Sequence, residues 1–478
     1  MNKKQSFALC LALLMLASVA CANETPADTT DAETTTTVAQ EETTLPLPEV
    51  DYGGQEFNLY LWSNGKLPVE EENGDVVNDA IYRRNRAVED HCNLKFAYNI
   101  SPGAVADFAT WYNTLSASIL AGDSSVDLAG GYAYRLASHS LDGNFTNLLE
   151  LPQLDFSADW WPGNVQEAGN LGGAMYMTIG NIDIDYYDKI FAILFNKNIA
   201  QEMQIENPYE LVKSGKWTLE KLFMLAEGAS RDLNGDSRMT EIDQYGYAIR
   251  PHTALDAFLF ACDVTITELD SSNVPQLVGL TEKYADLEAS LHKFMRDSVD
   301  VFFDDGSPSK TSTIFSENRA LLCSGNMANV ISYRSMDTDF GILPYPKYDE
   351  NQKEYYTGCA IGDATSFVIP ITADAEMSGT VLEAMAYYGY RNILPNYYEK
   401  ALKGKGARDD ESLEMLDIIF ENVNFEFTYF YSYCFGDQRA PSAMLRMTIL
   451  NNQELASTWA KNEANFTAVM EELVSTLK

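Results

Sequence analysis

The twelve residues from Asp232 to Asp243 carry side-chain oxygens at the first, third and fifth positions (Asp232, Asn234, Asp236) and a carboxylate at the twelfth, Asp243. A hard cation such as calcium needs several oxygens from a tightly wound backbone, and Arg238 would add its carbonyl at the seventh position. Two residues depart from the rule: Ser237 stands where glycine usually makes the turn, and Asp243 replaces the usual glutamate. A structural calcium is the expected cofactor. The competing reading is an acidic, solvated turn held by Asx hydrogen bonds.

Aromatic residues suggest a second chemistry. Sugars offer apolar C–H faces that pack on rings, while their hydroxyls need polar partners, so a sugar pocket mixes both. Trp62 ends an alternating stretch, Tyr132 and Tyr134 follow Gly130-Gly131, and Tyr186 and Tyr187 stand together farther on. Arg250, Asn326, Asn329 and Arg334 follow strand-like runs and are candidates to hydrogen-bond the same ligand. Trp111, Trp217 and Trp459 lie in helical patterns and read as core. Catalysis finds little support, because the four histidines are not spaced as a metal pair and no nucleophile elbow, phosphate loop or dinucleotide fingerprint is present. A carboxylate pair for glycoside hydrolysis stays open among 70 acidic residues.

Elements that could position these residues are legible in the hydrophobic pattern. Gln55 to Trp62 alternates as a half-buried strand, Val77, Ile81, Ala87 and Val88 recur at helical spacing, and Leu94, Phe96, Tyr98 and Ile100 alternate again. Val105, Phe108, Tyr112, Leu115 and Ile119 make a second helical stripe ending near Gly122, and Val126 to Ala129 follows as a strand. This β-α-β-α-β run predicts an α/β fold with a mainly parallel sheet covered by helices. Later, Ala174–Phe195 reads as two extended stretches, Tyr245–Arg250 and Arg319–Met327 as strands, and Leu280–Phe303 as one or two helices.

Composition narrows the function. Of 478 residues 46 % are hydrophobic, enough for a large core, and the net charge of −37 excludes nucleic-acid binding through a basic surface. That charge also favours a neutral or cationic ligand over an anionic one. Lys3 and Lys4 precede an apolar run to about Ala20, too short to span a bilayer, which reads as a signal peptide over residues 1–20. Its end at Ala20-Cys21 resembles a lipobox, making Cys21 the lipidated residue; an ordinary cleavage site is the other reading. Residues 21–50 are Thr-rich and acidic, a spacer that cannot bury enough surface to fold. The later cysteines, Cys92, Cys262, Cys323, Cys359 and Cys434, read mostly as buried apolar residues, with room for one disulfide.

From about Gly53 onward the succession of segments resembles the extracellular solute-binding proteins of bacterial ABC importers, the maltose-binding-like family 1. The stretches that carry it are Gln55–Trp62, Asn78–Asn85, Leu194-Phe195-Asn196-Lys197, Phe315–Leu322, Gly341–Tyr348, Tyr397-Tyr398-Glu399 and Lys403–Asp409. The resemblance implies a hinged, two-lobe periplasmic-binding-protein-like fold of type II, with residues 51–185 and 325–370 in one lobe and 186–324 and 371–478 in the other. It implies a monomeric receptor that is no enzyme, held by a lipid on the outer face of the cytoplasmic membrane. Such a receptor captures a carbohydrate, expected to be an oligosaccharide, between the lobes and hands it to the permease subunits of an ABC transporter. The alternatives are a secreted glycoside hydrolase and a polysaccharide-binding surface protein without a transport role.

Overall fold

The computed structural model describes residues 45–307, 309–333, 335–402, 410–436 and 439–475. The signal peptide, Cys21, the spacer up to residue 44, Arg334 and the Lys403–Asp409 stretch lie outside the described residues. The chain divides after Asp51, and everything from Tyr52 onward forms one unit.

In chain order the strands are β1 (Gln55–Trp62), β2 (Leu94–Ser101), β3 (Leu128–Tyr132), β4 (Phe191–Asn196), β5 (Tyr245–Ile249), β6 (Thr267–Leu269), β7 (Pro275–Leu277), β8 (Val301–Phe303), β9 (Ala320–Asn326), β10 (Phe340–Leu343) and β11 (Thr365–Val368). They build a four-stranded sheet in the order β11-β3-β1-β2, a five-stranded sheet in the order β10-β4-β9-β5-β8, and the small β6-β7 hairpin. The first sheet follows the sequence reading: Phe57, Leu59 and Leu61 are buried, and β1 pairs in parallel with β2 and β3. Asp75 starts the intervening helix Val76–Cys92 by accepting from the N–H groups of Val77 and Asn78, and Asn93 ends it in the left-handed region, φ 48°.

The second sheet is mixed rather than mainly parallel. β5 runs parallel to β8 and β9, but β4 runs against both β9 and β10. The reason is where β4 enters: Phe191, its first residue, pairs with Asn326, the last of β9, so β4 starts at the edge where β9 and β5 end. The expected lobe bounds also differ from the sheets. β10 sits in the second sheet through its pairing with β4, whereas the resemblance implies 325–370 in the first lobe. The helix Ala375–Tyr388 covers the first sheet's layer, where the Ser378 hydroxyl donates to the Asp127 carbonyl, whereas the resemblance implies 371–478 in the second lobe. Between the sheets, three segments lie side by side: Phe191 donates to Gly358, Ala360 to Lys189, Thr357 to Asn422 and Asn424 to Thr357. They form the joint of the molecule.

Other local readings shift. Leu280–Phe303 is one helix, Glu282–Asp297, followed by β8, and Ala174–Phe195 yields β4 alone as a strand, because Asp185–Asp188 closes into a helical turn. Val105 stands outside the helix Phe108–Leu120 and is exposed. All five described cysteines are free, and four are buried. Trp160 and Trp161 both donate their indole N–H to Glu383, at 2.8 and 2.9 Å.

One helix carries a pH dependence. On Asp410–Glu421, burial pushes the Asp417 carboxyl up to about 7, helped by Glu421 and Glu414. A carboxyl whose folded pKa exceeds its unfolded value adds stability below about pH 4 that is lost as pH rises through about 7. Asp417→Asn is therefore expected to raise the melting temperature at pH 8 and to leave it unchanged near pH 4. An equal effect at both values would refute this assignment.

Candidate binding cleft

The first wall of the cleft is the end of β3. Gly130 and Gly131 leave no room for a side chain: a Cβ on Gly131 would lie 2.5 Å from the Trp111 ring, so glycine is what lets that indole lie flat against the strand. Immediately beyond, Tyr132 packs on Trp62, ring centroids 5.3 Å apart, and the helical turn Ala133–Leu136 carries Tyr134 and Arg135. Trp62 is fixed from behind. Its indole donates to Thr365 Oγ1 at 2.8 Å, and that hydroxyl donates to Asp185 Oδ2 at 2.5 Å. Burial and the neighbouring Asp183 carboxylate hold Asp185 well above the usual carboxylate range.

The opposite wall begins where β5 ends. Residues 250–252 turn into the helix Thr253–Ala261, whose first residue faces the cleft. Tyr429, Ser432, Ala443 and Arg446 complete this side, and Ala360 and Gly362 of the joint form the floor. Together with Val105, Tyr132, Tyr134 and Arg135 they enclose about 270 Å³. In an open α/β architecture the carboxyl ends of parallel strands are where ligands bind, and here those of β3 and β5 face one cavity. A larger cavity of about 640 Å³ lies at the other end of the helix Thr253–Ala261, among Leu259, Phe260, Asn424 and Glu426, away from both strand ends.

Charge in the cleft is distinctive. Arg135 lays its guanidinium over the Tyr433 ring, 5.1 Å from the centroid. Arg446 reaches Asp256, Nη1 to Oδ2 3.4 Å, and burial pushes that fully buried carboxyl up to about 7 against the pull of Arg446. His252, which caps the helix, is held below its ordinary pKa by burial and then by Arg250 and Arg446, with Asp305 acting the other way. No carboxylate is among the described residues that line the cavity.

The structure thus brings Tyr132 and Tyr134 together, with Trp62 buried directly behind them. Arg250 is exposed at the end of β5 and outside the lining. Asn326 and Asn329 serve the helix Met327–Tyr333 instead: each backbone N–H donates to the other's side-chain oxygen, at 3.0 and 3.1 Å. Tyr186 and Tyr187 are corrected to core residues, 4 % and 1 % exposed. The Tyr187 hydroxyl donates to Asn181 at 2.8 Å and its ring packs on Tyr397, so no face is left for a ligand. Reading the sequence missed Thr253, Tyr429, Ser432 and Arg446, which lie far apart along the chain. Arg135 was within reach, being a charged residue directly after the aromatic pair at a strand end.

The acidic loop has Ser237 in the left-handed region, φ 64°, at the position where a calcium loop usually has glycine. Its oxygens serve the loop's own backbone: Asp232 accepts from Gly235 and Ser237, Asn234 from Asp236, Asp236 from Arg238, and Asp243 from Leu233 and Thr240. Among the described residues no three His, Cys, Asp or Glu side chains converge as metal ligands.

No protein-family model matches the chain, and no curated protein matches its sequence. Solved structures do. The cyclic α-maltosyl-1,6-maltose binding protein from Arthrobacter globiformis superposes with a TM-score of 0.57 at 12 % identity, covering 88 % of this chain and 100 % of that one. A family 1 extracellular solute-binding protein from Bifidobacterium longum subsp. infantis gives 0.55 at 12 % identity, covering 87 % and 100 %. The fold is that of the two-lobe family 1 solute-binding proteins. An ABC substrate-binding protein from Listeria monocytogenes in complex with cycloalternan has the same solute-binding fold, TM-score 0.54 at 12 % identity over 87 % and 99 % of the two chains.

Proposed function

We propose that the protein is an extracellular receptor that captures a carbohydrate between its lobes and delivers it to an ABC permease. The observation that carries this reading is the cavity at the facing ends of β3 and β5, where Tyr132, Tyr134 and Tyr429 offer ring surface and Ser432, Thr253 and two arginines offer hydrogen-bond partners. The fold supports it, since two of the neighbours named above are bound to or named for saccharides. A volume of about 270 Å³, at the lower end of ordinary ligand pockets of roughly 300–1,000 Å³, suits a short saccharide.

Binding without bond breaking fits the lining. Glycoside hydrolysis needs two carboxyl groups flanking the scissile bond, and no described lining residue supplies one. A ligand that touches both walls favours the closed arrangement by its differential affinity, and a permease can read that state. Anchoring is proposed through a lipid on Cys21; among the described residues no helix is long and apolar enough to cross a membrane. Calcium in the 232–243 loop is kept as a proposal that rests on spacing and on the left-handed Ser237.

The test is a melt of residues 22–478 against a panel of short saccharides, with and without EDTA, followed by recovery of each sugar. A ligand at 100 times its dissociation constant adds about 2.7 kcal/mol, so a bound sugar raises the midpoint and is recovered intact. Degraded sugar would overturn the receptor reading, and a midpoint indifferent to EDTA would remove calcium.

A further inference from the structure

We infer that the saccharide taken by this cleft carries a carboxylate, as a uronic acid does; the inference rests on the carbohydrate reading above and names its chemical class. The net charge of −37 argues for a neutral or cationic ligand, but the lining of the cleft has the opposite balance from the rest of the chain. Two arginines, Arg135 and Arg446, face the cavity, and no described lining residue is acidic.

The two arginines differ in what balances them. Arg446 has Asp256 behind it, so its charge is met from the protein side. Among the described residues Arg135 makes no ion pair; its guanidinium lies over the face of the Tyr433 ring, and its Nε is buried without a hydrogen-bond partner. A guanidinium presents paired donors that match a carboxylate, and one oriented by a ring loses little freedom in binding it. Across the cavity the helix Thr253–Ala261 starts at the wall, with the positive end of its dipole on that side. Nearby, burial first and then Arg250 and Arg446 favour the neutral form of His252, with Asp305 acting the other way. A sugar ring on Tyr134 with its carboxylate toward Arg135 would satisfy both the aromatic and the cationic features of the wall. A neutral sugar would leave the Arg135 donors without a charged partner.

Calorimetric titration with disaccharides matched except at C6 separates the possibilities: digalacturonate against its neutral galactobiose, and cellobiouronate against cellobiose. The expected result is that a uronate binds more tightly than its neutral counterpart, by about 10- to 100-fold for a charge-assisted contact, and that its affinity falls as sodium chloride rises. Arg135→Gln should erase most of that preference and flatten the salt dependence, while Arg135→Lys keeps part of it; melts of both free variants confirm that they are folded. Equal or tighter binding of the neutral sugars, or a preference untouched by Arg135→Gln, overturns the inference and leaves the carbohydrate receptor standing. No binding in either arm counts against both.

Discussion

Replacing Arg84 with methionine is expected to destabilise the protein by about 3–5 kcal/mol, the range for removing one partner of a buried charged network. Arg84 is 0 % exposed. From the helix Val76–Cys92 its Nη1 donates to the Ile182 carbonyl at 2.7 Å and to Met385 at 3.4 Å, and its Nε donates to Asn85 at 2.8 Å. Its charge also bears on Asp183, which is otherwise held by the backbone N–H groups of Lys66 and Asp185. Burial lowers the Arg84 pKa to about 10, so the group is still a cation at neutral pH. Methionine fills comparable space but takes the donor from the buried Ile182 carbonyl and the Asn85 side-chain oxygen and removes a cation that favours the buried Asp183 carboxylate, while the Met385 carbonyl keeps the Gly389 N–H. Denaturant titration reads the loss as a lower midpoint. A shift below 1 kcal/mol would mean that the guanidinium is dispensable, and Arg84→Lys should rescue little, because one ammonium cannot reach all three acceptors.

Gly389→Ala is expected to cost about 3 kcal/mol, the upper end for overpacking a close-packed site. A Cβ there would stand 1.6 Å from the Asn181 carbonyl oxygen and 2.8 Å from its carbon. Neither side can retreat easily. Gly389 opens a π-helical turn to Ile393, and Asn181 is fixed by its own donation to the Trp160 carbonyl at 2.6 Å and by the Tyr187 hydroxyl. Gly163→Ala is the matching control, since nothing lies within 4 Å of its Cβ position. The two variants should melt far apart, and equal midpoints would refute the contact.

Both sites show what the sequence could and could not tell. The strands and helices of the first sheet are legible because each buries one face, so alternation in β1 and the stripe Phe108, Tyr112, Leu115, Ile119 have a direct physical cause. β3 was read as ending at Ala129 but runs on to Tyr132, because Gly130 and Gly131 carry no side chain to continue the pattern. Tyr187 was misplaced because a tyrosine in the core and one in a cleft have the same local pattern; only Tyr397, a distant residue, decides between them. Arg446 and Tyr429 were invisible, since what brings them to the cleft is the packing of the C-terminal helices. β8 was lost inside a helix because three residues are too few to show alternation.

The pairing of β11 with β3 has a consequence for how the chain is made. Tyr132 finds its partner Thr365 only after the whole second sheet has been synthesised, and the covering helix Ala375–Tyr388 comes later still. Until then a nascent chain carries β3 with an open edge and an uncovered apolar layer, the condition under which strands pair with the wrong neighbour. Such long-range closure is slow. The first lobe to begin is thus among the last to finish, and a chain cut off before Tyr388 would leave it without its cover.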